Sequence, residues 1–117
     1  MAVKEMKKIP VQPVSVGKGA FIQILIGAEE APHFFMRRFI IEPKGHIPKH
    51  TNTVEHEQLV LRGKGRIGIG DEIFTVKKDD VLFIPANMPH WYENIGDEPF
   101  EFLCLIPNKE DKMQLLD

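Results

Sequence analysis

The sequence predicts an all-β fold, a sandwich or barrel. Short segments rich in Phe, Ile and Val recur along the chain, turn residues separate them at intervals of about ten residues, and helical periodicity is nearly absent. At 117 residues the chain is long enough for one core and reads as a single domain, 1–117.

The predicted strands follow in order. "AFIQILIG" (20–27) and "HFFMRRFIIEP" (33–43) are rich in Phe and Ile and stop at Gly or Pro. "EQLVLRGKGRIGIGDEIFTV" (57–76) divides at Gly63-Lys64-Gly65 and at the Gly70-Asp71 turn. "DVLFIP" (80–85) and "EPFEFLCLIP" (98–107) are each closed by proline. Only the charged tail "NKEDKMQLLD" (108–117) is expected to be helical.

Composition narrows the function. Hydrophobic residues are 43% of the chain, as in globular proteins, and the formal net charge of −2 gives no reason to expect nucleic acid or anionic lipid as partner. The basic start (Lys4, Lys7, Lys8) has no apolar run behind it, and no segment approaches the ~20 apolar residues of a membrane helix. The chain is therefore expected to be soluble and cytoplasmic. A single cysteine, Cys104, excludes an internal disulfide and a Cys-based zinc site.

The chemistry concentrates in "HTNTVEHE" (50–57). Residues two apart on a strand share a face, so His50 and Asn52 can point the same way. His56 follows after Thr53-Val54-Glu55, at the expected start of the next strand. His90, in "PANMPHWYEN" (85–94), is a further candidate, stiffened by nearby prolines. Neutral imidazoles suit Zn, Cu, Fe and Ni. An asparagine amide oxygen is a weaker ligand, so Asn52 is expected to be a weak ligand or a partner of a ligand. Gln58 shares the His56 face on a regular strand, while Glu55 and Glu57 are expected to be solvated. Cys104 is expected in the core, His33 and His46 at the surface, and Trp91 packed away from His90. One of the adjacent Arg37 and Arg38 should face inward, where it could bind an anionic group or form an ion pair.

Residues 45–65, "GHIPKHTNTVEHEQLVLRGKG", resemble the first cupin motif, and residues 79–94, "DDVLFIPANMPHWYEN", resemble the second. His50 matches the first histidine, Asn52 replaces the second, and His56 stands at the glutamate position, counted back from the closing Gly63. Lys44 stands where the opening glycine is expected. Pro85, His90 and Asn94 match the second motif, with Asp79 and Asn87 at its glycine positions. Asp and Asn tolerate positive φ better than other non-glycine residues. "LIG..AP.F.MR.F..EP.G", "EHE..VL.GK" and "FLCLIP" resemble the small single-domain cupins with an all-histidine manganese site.

This resemblance implies a double-stranded β-helix (a jelly-roll barrel), a divalent metal in its mouth, and a homodimer. It maps metal ligands onto His50, His56 and His90, with the fourth falling on Asn52. Manganese is the metal it favours; iron, zinc, nickel and copper remain compatible with the ligands. The expected function is metal-dependent oxygen, peroxide or isomerase chemistry on an unidentified small molecule. The alternative is a non-catalytic module that binds or senses a small ligand.

Overall fold

A computed structural model describes residues 2–116. After a single 3₁₀ turn, Met6–Lys8, the described residues form ten strands in one strongly curled sheet. They are β1 (Gln12–Pro13), β2 (Lys18–Ile26), β3 (Phe34–Asn52), β4 (His56–Arg62), β5 (Lys64–Ile69), β6 (Glu72–Lys77), β7 (Val81–Ile84), β8 (His90–Asn94), β9 (Phe100–Pro107) and β10 (Met113–Leu115). The expected all-β jelly roll is the fold observed. The sheet order is β6-β5-β8-β3-β9-β4-β7; β2 and β10 also pair with β3, and β1 pairs with β2.

The long β3 organises the barrel. Its first half, Phe34 to Ile41, pairs with β2 and β9, and its second half pairs with β8 and β10. Between them lie Pro43, which has no N–H to donate, and Lys44, at φ 70°. Pro43 was expected to end the strand; β3 instead runs through it and exchanges its neighbours there, so one strand serves both halves of the barrel. Asp79 (φ 77°) and Asn87 (φ 66°) also adopt the left-handed conformation. All three replacements at the motif's glycine positions thus keep the backbone that glycine would have taken.

Odd-numbered positions of early β3 face inward with the even positions of β4 and β9. Ile41, Val60, Phe100, Phe102 and Cys104 meet Ile47, Ile67, Ile84 and Tyr92 in the core. Tyr92 stacks on Phe102 (centroids 4.9 Å apart) and Phe102 on Phe39 (5.1 Å). At the closing Gly63, φ is +83° and an added Cβ would come within 2.4 Å of the Pro99 carbonyl oxygen, so the turn requires glycine. Asn94 ties the two halves together: its Nδ2 donates to the carbonyls of Ile41 and Glu98, and its Oδ1 accepts from Gly96 N, each at 2.8 Å.

The tail is not helical. Residues 113–115 add β10 to the edge of β3, opposite His50 to Asn52. So short a helix is marginal in water, whereas pairing satisfies backbone groups that β3 would otherwise leave open.

Candidate metal and ligand site

The barrel encloses a cavity of about 310 Å³, lined by His50, Asn52, His56 and His90 together with Arg37, Gln58, Tyr92, Cys104 and Asp111. The strands account for the convergence. His50 and Asn52 end β3 on one face, residues 53–55 turn, and His56 opens β4. His90 opens β8 directly opposite His50 in the β3–β8 pairing. The ring centroids of His50 and His90 are 4.2 Å apart, and those of His56 and His90 are 5.4 Å apart.

Each ring is oriented by a specific partner. His50 Nδ1 donates to the Pro48 carbonyl (2.7 Å) and His90 Nδ1 to the Met88 carbonyl (2.9 Å). Both contacts reach two residues back and leave Nε2 as a lone-pair nitrogen. His56 Nε2 donates to Asn52 Oδ1 (3.0 Å), and Asn52 Nδ2 donates to Asp111 Oδ2 (3.1 Å). Two buried ring nitrogens, His56 Nδ1 and His90 Nε2, have no partner among the described residues.

Burial keeps the rings neutral. It lowers the pKa of His56 to about 3, with help from the Arg37 charge, and that of His90 to about 4. The His50 pKa is also lowered, chiefly by burial. These are donors in the protonation state a cation requires. Among the described residues, however, no three His, Cys, Asp or Glu side chains already stand at metal-holding spacing. The donor chemistry fits a divalent ion, whereas the ring positions would have to close for three nitrogens to share it.

Gln58 faces the cavity as its register with His56 requires, and its Nε2 donates to the Tyr92 hydroxyl oxygen (2.7 Å). Cys104 is buried, in the core and in the cavity wall together. Trp91 turns away from the cavity and packs against Gly68. His33 and His46 are exposed, so His46 does not stand in for the missing histidine. Sequence reasoning missed Asp111 and Tyr92. The alternation of β8 from His90 would have found Tyr92; Asp111 depends on where the tail returns, for which no local signal exists.

A family model for the cupin domain matches residues 37–106. The chain belongs to the cupin family. An uncharacterised protein of Methanocaldococcus jannaschii is 42% identical over 52 residues, 44% of this chain and 42% of its own. The 1-methylthio-D-xylulose 5-phosphate methylsulfurylase of Rhodospirillum rubrum is 30% identical over 80 residues, 68% of this chain and 51% of its own. This cupin therefore spans about half the length, or less, of these relatives. The structure of the polyketide cyclase RemF from Streptomyces resistomycificus superposes with a TM-score of 0.92 at 23% identity, covering 100% of this chain and 86% of that one. That likeness shows the fold.

Proposed function

We propose that this cupin holds a divalent metal ion through His50, His56 and His90 and presents it to a small molecule in the cavity. The observation that carries the reading is the pair of buried, partnerless nitrogens, His56 Nδ1 and His90 Nε2, in a cluster of neutral imidazoles. Leaving such groups unsatisfied costs about 1–3 kcal/mol each, and a cation would satisfy them. The resemblance favours manganese. An ion with open positions supplies oxygen or peroxide chemistry when redox-capable, or Lewis-acid isomerisation otherwise.

The chain's own residues prepare the site. The Pro48 and Met88 carbonyls fix the tautomers of His50 and His90. Asn52 does the same for His56 and passes the constraint on to Asp111. In this reading Asn52 orients a ligand and does not itself bind strongly. Because its amide is engaged on both sides, one coordination position is left for water or substrate. The same engagement favours the second reading, a binding or sensing module without turnover. The cupin is also inferred to be a homodimer.

Metal analysis of untagged protein should find close to one equivalent of divalent ion, and calorimetry on the chelator-stripped form should show one matching site. His56→Ala should abolish tight binding, and Asn52→Leu should weaken it by roughly 10–100-fold. Equal affinity in wild type and His56→Ala would sink the metal site. Oxygen uptake with candidate substrates separates an enzyme from a binding module.

A further inference from the structure

We infer that Arg37 is an anion anchor in the cavity wall, so that the cavity's ligand is a small molecule carrying a carboxylate or phosphate group. This rests on reading the cavity as a ligand site, and it does not require the metal.

The adjacent arginines of β3 have opposite fates. Arg38 faces outward and is neutralised: its Nε donates to Glu101 Oε1 (3.0 Å) and its Nη1 to Gln23 Oε1 (2.6 Å). Arg37 faces inward beside His56 and Gln58 in the cavity lining. Its only side-chain hydrogen-bond partner among the described residues is the Cys104 sulfur, 3.1 Å from Nη2. Its Nε is buried with no partner, and no carboxylate of the described residues pairs with it.

Arg37 is half-buried, and a guanidinium whose Nε is cut off from any partner, with a thiol as its best acceptor, is poorly compensated. Its position 5.0 Å over the Phe39 ring returns only a weak cation–π attraction. A carboxylate or phosphate would supply what is missing, because its oxygens match the guanidinium fork. Gln58 is 3% exposed, and its Oε1 has no partner, so the lining also offers an unused acceptor, which the anionic group cannot fill but a hydroxyl elsewhere on the same ligand can. Asp111, the carboxylate of the lining, is already engaged by Asn52 Nδ2 and Thr53 N. Ile22, Phe39 and Ile47 give the carbon skeleton an apolar wall. At about 310 Å³ the cavity lies at the small end for ligand sites.

The test uses chelator-treated, metal-free protein titrated calorimetrically with oxalate, inorganic phosphate and uncharged oxamide. At least one of the two anions should bind saturably at one site, and oxamide should not. Oxalate alone binding identifies a carboxylate ligand, phosphate alone a phosphate ester, and both the shared anionic chemistry. Arg37→Gln should lower the anion's affinity by roughly 10–100-fold, the loss expected for charge-assisted hydrogen bonds. Arg37→Lys, which keeps the charge but not the fork, should fall between and serves if Arg37→Gln does not fold. Manganese titration of the same variants should show no loss of affinity, because removing a positive charge beside His56 cannot weaken the binding of a cation. If manganese fails to bind wild type, the metal reading falls while the anion result stands. No binding of either anion to wild type, or equal affinity in wild type and the variants, overturns the anchor.

Discussion

His50, His56 and His90 come together as three buried, neutral rings in the cavity wall, and neutrality there depends on pH. In the unfolded chain each titrates near the ordinary value of about 6.5. Folding lowers His56 to about 3 and His90 to about 4 through burial, so below pH 6.5 the unfolded state binds protons that the folded state refuses. The stability these rings contribute is therefore fully present above pH 6.5 and is lost as pH falls toward 4. Glu57 acts in the opposite direction over this range, its carboxyl being raised to about 7 by hydrogen bonding to Glu55. For the metal-free protein, urea unfolding should show stability falling between pH 6.5 and 5 by up to about 1.4 kcal/mol per pH unit for each of the two rings. His56→Gln should remove one ring's share of that slope and leave the Glu57 contribution in place. A variant with the wild-type slope would mean that His56 does not titrate as its burial requires. At this scale the sequence was informative where period two decides direction, as for His50, Gln58 and Trp91. It was silent on which arginine turns inward, because Arg37 and Arg38 differ only in what the distant Glu101 and Gln23 offer Arg38.

Strand limits were legible wherever a turn residue does what its chemistry demands. The Thr53-Val54-Glu55 turn falls as expected between β3 and β4, and Asp79 and Asn87 take the positive φ of the glycines they replace. Pro43 misleads because a proline blocks one hydrogen bond without stopping a strand whose neighbours change at that point. β10 misleads because its pairing partner lies some sixty residues back along the chain, beyond any local pattern. Asn94 shows what a motif residue can do without touching chemistry. Its amide satisfies two carbonyls and a backbone N–H across the turn that joins β8 to β9. Asn94→Ala leaves those groups unpaired in a buried place and should destabilise the fold by about 2–4 kcal/mol in urea titration. Metal affinity of the folded fraction should not change. A loss below about 0.5 kcal/mol, the level of an ordinary surface substitution, would show that water replaces the amide at no cost.

For the molecule as a whole, the unresolved burden is the outer face of the sheet half formed by β3, β9, β4 and β7. Cross-strand register places Met36, Leu105, Glu57 and Phe83 in one row and Arg38, Leu103, Leu59 and Val81 in the next. All eight point away from the core, yet five of them are aliphatic and one aromatic. Phe83 is 55% exposed and Val81 78%, both on the edge strand β7. Apolar residues occupy both faces of "EQLVLRG" and "EFLCLIP", so a second surface needs cover, and the register shows that this surface is continuous across four strands. Left bare, such a face next to an open strand edge invites uncontrolled association. A second copy packed on it would bury the rows while leaving both cavities available, and this is the arrangement we propose for a homodimer. Light scattering at micromolar concentration should therefore give twice the mass of the chain. Phe83→Glu places a charge on the exposed aromatic of these two rows, and its side chain is outside the barrel core, so the variant should become monomeric with an unchanged far-ultraviolet circular dichroism spectrum. A monomeric wild type would end the homodimer, whereas a Phe83→Glu protein that stays dimeric would move the interface to another face of the barrel.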